Sequence, residues 1–353
     1  MVADNGSKLD SMDYKVVRRS HVVPRGYLRG FAVGESIAMR LVGESTSRVI
    51  PVSKAAVLKD FYLRHRPDGT PIHDIEWSLE HIDKAVPPIF REISQRWPLT
   101  LPDKAIVAEF IAMQMLRGPR WRTWHTDFVS DYIASAGLSG AYEGKQPDGM
   151  TVEEALAEVE RQLTSDTATL AKMLELSRKV AQIIGSMHWT LVGFDRAWLA
   201  TSDHPVATWP VGLASRRSKK SDNFVEGGLT NTLEVRFPVS SHHAILLTWL
   251  DLPDDEAPIA NGTKDIAANL NAFTVADAEH QWFHVPGVTP PRASGQLLPV
   301  APYLLPASRA DLVRESVRRN ETNRRIQLKV GETDARSEFE VLTIHSPCEA
   351  PRP

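Results

Sequence analysis

Three short constellations in this 353-residue chain carry side chains able to do chemistry. In His21-Val-Val-Pro24-Arg25 a histidine that titrates near neutral pH stands just before an arginine able to grip a carboxylate or phosphate through two N–H groups. In Thr201-Ser202-Asp203-His204-Pro205, polar residues follow the strand-like Trp198-Leu199. Strand ends are where rigid backbone aims polar groups at a ligand, although Ser-Asp before a proline is also a turn signal. Arg120 and His125 repeat the Arg-x4-His spacing of helical, metal-independent ribonucleases, in which the histidine is general base and the arginine stabilises phosphorane charge. Chance alone supplies about one such pair in a chain of this composition. The doublet His242-His243 lies in a β-like run, so its two rings face opposite ways and are poorly placed to share a metal.

Several common chemistries lack their motifs. There is no Gly-rich phosphate loop, Gly-x-Ser-x-Gly elbow or His-Glu-x-x-His helix. The 41 basic and 44 acidic residues leave a formal charge of −3, so any nucleic-acid partner has to bind through a local site rather than a global field. The single cysteine, Cys348, lies in a Pro-rich tail, which excludes an intrachain disulfide framework and a multi-thiolate metal centre. A cytoplasmic chain with no disulfide-linked partner is the expectation. No apolar leader core opens the sequence, and no run approaches about 18 apolar residues, so no membrane partner is expected either.

The elements that must position these residues are read from periodicity. Apolar residues from Ile75 to Ile93 recur every three or four positions and predict a helix to about Trp97, kinked or split at Pro87-Pro88. Thr100-x-x-Asp103 opens a second helix that stops at Gly118-Pro119, with Gln114 and Arg117 beside its apolar stripe. Thr151 and Glu154 form a capping box at the head of one long helical pattern ending near Gly185. From His188 the period drops to two, with strand-like runs at 189–192, 198–201, 233–239 and 244–250. Helical spacing returns at 269–280 and again from Ser308 to Asn320, while Arg216 to Asp222 reads as a basic solvated loop.

The fold class expected is therefore α+β, a helical N-terminal half followed by a sheet-rich C-terminal half packed against it. In segments, 1–14 is expected disordered, 15–187 mainly helical, 188–305 sheet-rich, 306–325 a terminal helix and 326–353 a mostly disordered tail.

Taken together, several stretches resemble one bacterial family, the domain of unknown function 4238. The entry motif His21-Val-Val-Pro24-Arg-Gly-Tyr27-Leu28-Arg-Gly-Phe31 carries the likeness, followed by Ile75-Glu76, Ile82-Asp83 and the helix segment Phe110-Ile-Ala-Met-Gln114-Met-Leu-Arg117-Gly-Pro119. Trp189, the Thr201 to Pro205 segment, Phe237-Pro238 and Asn271 ahead of Ala276 continue it in the same order. Val22 and Arg25 stand where the family usually has tyrosine and glutamine, and Asp83 where it often has glutamate.

The resemblance implies that His21, Glu76, Gln114, Arg117, Asp203 and Asn271 converge, since buried charge is costly unless paired. One reading is a hydrolase or nuclease-like phosphodiesterase. His21 is its general acid or base, Arg117 binds an anionic group, and Glu76 or Asp203 orients the histidine or a divalent metal. Gln114, Arg25, Ser202 and Asn271 complete the substrate side. A second reading is a non-catalytic binding or sensing module, with the same residues forming a structural network in which Arg117 pairs with Asp203. The third is the Arg120/His125 ribonuclease, which requires both side chains on one face.

Overall fold

A computed structural model describes residues 19–65, 71–72, 74–138, 149–209, 229, 232, 234–249 and 259–292. The expectations for 1–14, the Arg216 to Asp222 loop, the helix at 306–325 and the tail at 326–353 with Cys348 lie outside the described residues.

The chain enters as strand β1 (Arg19–His21), a single helical turn α1 (Arg25–Leu28), strands β2 (Ser36–Leu41) and β3 (Arg48–Pro51), and the short strands β4 (Val57–Lys59), β5 (Arg64–His65) and β6 (Pro71–Ile72). Helices α2 (Asp74–Arg91), α3 (Leu101–Leu116), α4 (Pro119–Leu138), α5 (Val152–Leu163) and α6 (Asp166–Ser186) follow. The rest is mostly strand: β7 (His188–Gly193), β8 (Thr201–Ser202), β9 (Ala207–Trp209), β10 (Glu234–Ser240), β11 (His243–Thr248), β12 (Ala260–Asn261), then α7 (Lys264–Asp277) and β13 (Gln281–His284). The protein is α+β, with helices mostly in the N-terminal half and sheet mostly in the C-terminal half.

Helix α3 is central. Thr100 caps it by accepting from the Asp103 N–H, and Val107, Phe110, Ile111, Met113 and Leu116 are buried on several of its sides against α6 and α2. Of the expected outcomes, a kinked or a split helix, the split does not occur: α2 runs on through Pro87 and Pro88 and ends at Arg91. Pro87 lies against the entry motif: a Cβ on Gly26 would meet Pro87 Cγ at 2.6 Å, so glycine there permits the close approach. The long pattern after Thr151 is two helices, because Ser165 caps a new one by accepting from the Ala168 N–H. Helix α4 was not anticipated. Gly118-Pro119, read as a stop, also starts it, proline being compatible with a first helical turn.

The five-stranded sheet has the order β12-β7-β11-β10-β9, antiparallel except for β12 beside β7. Strands β10 and β11 are buried on both faces; β11 accordingly reads as a nearly continuous apolar run, whereas β10 buries the ion pair of Glu234 and Arg236. The four-stranded sheet, β3-β2-β13-β8, joins two strands from the first half to two from the second. Tyr27 fastens the entry motif to this assembly, its hydroxyl donating to Pro238 O at 2.6 Å and lying 2.7 Å from Thr201 Oγ1. Its ring packs against Phe31, Phe90, Phe110 and Phe237.

Candidate functional site

The corner between α3 and α4 carries Arg117 and Arg120 three residues apart, and each anchors its own polar cluster. Arg117 is 3% exposed at the end of α3. Its Nη1 and Nη2 donate to the two oxygens of Asp83 on α2 at 2.9 and 3.2 Å, Nη2 also donates to His21 O at 2.9 Å, and Nε donates to Tyr62 Oη at 3.2 Å. Tyr62 in turn donates to Arg117 O. Burial alone weakens the guanidinium's hold on its proton, but Tyr62 and Asp83 outweigh it and hold Arg117 above the usual arginine range. Burial pushes the Tyr62 phenol up as well. This cluster ties the β1 backbone, α2 and α3 together.

The second cluster gathers the first turn of α4, the exit of β8 and the end of α7. Arg120 donates through Nη1 to Asp277 Oδ1 at 2.6 Å and through Nη2 to Asp277 O at 2.8 Å, while its backbone N–H donates to Glu279 Oε1 at 3.0 Å. His204 Nδ1 lies 2.9 Å from Asp277 Oδ2. An ionised carboxylate only accepts, so Nδ1 carries a hydrogen, and in the neutral ring the lone pair is then on Nε2. The 3.5 Å approach of Arg120 Nη1 to Nδ1 is then a contact between two donors. Burial pushes the Asp277 carboxyl up, yet His204 and Arg120 outweigh it and hold it below the ordinary aspartate range. Among the described residues nothing hydrogen-bonds His204 Nε2, and 9% of the side chain is exposed. Asp203, in contrast, is spent on structure: its carboxylate accepts from the backbone N–H groups of Glu279, His280 and Gln281 at 2.8–3.0 Å.

The expected single pocket is thus divided. Arg117 meets the backbone of His21, and its carboxylate partner is Asp83, so the expected Arg117–Asp203 pair does not form. Gln114 lies one turn before Arg117, 1% exposed. Ser202 is turned into its own loop, donating to His204 O and accepting from His204 N. The Asn271 amide is engaged by Ala200 N, Trp198 O and Pro291 O. Arg25 is exposed at the start of α1. Glu76 lies on α2, and its side chain is outside the described residues.

Arg120 and His125 are not brought together, which corrects the ribonuclease reading. Five residues at about 100° each place them on different faces of α4. His125 Nδ1 meets Thr169 Oγ1 of α6 at 3.3 Å while Arg120 faces Asp277.

Sequence reasoning missed His204 as a site residue although it had quoted the segment containing it, and missed Asp277, Glu279 and Tyr62 altogether. Asp277 closes a helix, and nothing in its spacing to Glu279 or His280 points to a partner 73 positions away, so the pairing left no local signal. No three or more His, Cys, Asp or Glu side chains among the described residues are grouped to hold a metal ion, so the divalent-metal expectation finds no ligand set there. No helix among them is long and apolar enough to cross a membrane.

The fold and the paired clusters define an α+β protein built around a two-arginine corner. The family described as Protein of unknown function (DUF4238) matches residues 19–284, and the chain belongs to it. No curated protein and no solved structure matches the chain.

Proposed function

We propose that the protein is an ester hydrolase whose proton-transfer group is His204, oriented by Asp277. The observation that carries the reading is the 2.9 Å contact of His204 Nδ1 with a buried carboxylate while Nε2 keeps no protein partner among the described residues. Such a pair fixes one tautomer and leaves the opposite nitrogen to exchange a proton with a ligand. In the reaction Nε2 takes a proton from water as the water oxygen adds to the carbonyl carbon or phosphorus, and the leaving oxygen departs with that proton. Arg120 holds Asp277 in place from its other side and sets a partly exposed guanidinium beside the ring. Phosphodiesters are accordingly the first substrate class to test, followed by phosphomonoesters and carboxylic esters.

The Arg117 cluster supports the structural reading for that half of the expected set. A guanidinium with partners on three segments is a fastener rather than a ligand-binding group. The test is hydrolysis of the three ester classes by the wild-type protein and by His204→Asn. The expected outcome is turnover of one class that falls by about 10²–10⁴-fold in the variant, with the melting temperature nearly unchanged. Turnover that survives the substitution, or no hydrolysis of any class, sinks the proposal.

A further inference from the structure

The Gln114 side chain is 1% exposed, yet neither its Oε1 nor its Nε2 has a hydrogen-bond partner among the described residues. An amide offers one acceptor oxygen and two N–H donors, and leaving all of them dry inside a core is costly. Helical geometry sets Gln114 one turn before Arg117 and one turn after Phe110 on the same side of α3. Arg117 supplies a second observation. Its guanidinium has five N–H groups; one goes to Tyr62, two to Asp83 and one to His21 O, which leaves a single Nη1 hydrogen unused. Donors and acceptors therefore remain on two successive turns of a buried helix face.

We infer that at least one ordered water is bound inside the protein at the Gln114 amide, donating to Oε1 and accepting from Nε2. Buried waters characteristically make about three hydrogen bonds to polar groups the chain cannot otherwise satisfy. Among the described residues the indole nitrogens of Trp97 and Trp121 are also buried and without a partner, but each is one donor, whereas Gln114 presents both kinds of group. The water belongs to the Arg117 side of the corner and is independent of any chemistry at His204.

A high-resolution crystal structure of the full chain, paired with thermal melting of Gln114→Met, tests this. Methionine keeps the side chain's length and removes both polar groups. The expected result is a water-sized density peak within hydrogen-bonding distance of both amide atoms and a melting temperature lowered by several degrees in the variant. A dry amide, a peak larger than water, or a variant that melts at or above the wild-type temperature overturns it. Should the variant fail to fold, the wild-type density decides alone.

Discussion

The two clusters at the α3–α4 corner use the same residue types for different ends. Arg117 is buried and spends four N–H groups on Asp83, Tyr62 and the His21 carbonyl, so its charge is fully absorbed by the protein. Arg120 is partly exposed and fixes a carboxylate, and that carboxylate orients a histidine with one nitrogen to spare. The difference teaches that residue type does not separate fastener from reactive group. What separates them is where the unused group lies: the one hydrogen Arg117 has to spare is on a side chain 3% exposed and paired on three sides, whereas His204 keeps a whole ring nitrogen without a partner among the described residues.

Removing the fastener should have the largest effect. Arg117→Met strands the Asp83 carboxylate and the His21 carbonyl, and should lower unfolding free energy by about 3–5 kcal/mol in urea titration. A loss under about 1 kcal/mol breaks the assignment of that cluster to holding segments together. Asp203→Ala comes next. Three backbone N–H groups lose their acceptor, for an expected cost of about 2 kcal/mol, and amide exchange at residues 279–281 should speed up. Unchanged exchange there shows that Asp203 is not what holds this loop.

Asp277→Asn should cost least at neutral pH, about 1 kcal/mol, because the amide oxygen can still accept from Arg120. Its signature lies in pH dependence. The folded-state proton affinity of Asp277 is held below its ordinary value, so its carboxylate stabilises the fold fully above about pH 4 and ceases to do so as pH falls through the lower folded value. The variant should lack that acid limb while losing hydrolysis at every pH. Retention of the acid limb in the variant assigns it to another carboxylate.

Much of this architecture is legible in the sequence. Thr100 and Thr151 announced their helices because a cap is a local bond between residues three apart. The change to period two at His188 located the sheet-rich half. Local reasoning failed where a local signal had two uses. Gly118-Pro119 ended one helix and began another, and Pro87-Pro88 stayed inside α2 without splitting it. Of the candidate residues, Gln114 and Arg117 stood out as polar groups beside an apolar stripe, but nothing in their spacing said which carboxylate would pair with Arg117.

By itself the sequence determined the α+β division, the helix starts at Thr100 and Thr151 and the family, since these depend on periodicity, on bonds a few residues long and on motifs in order. Only the tertiary structure decided that Arg117 meets Asp83, that Asp203 caps a loop, and that His204 finds Asp277. Those pairings span 34, 76 to 78 and 73 positions, and they are selected by the cost of burying a charge without a partner, a cost that arises only once the chain has closed around it.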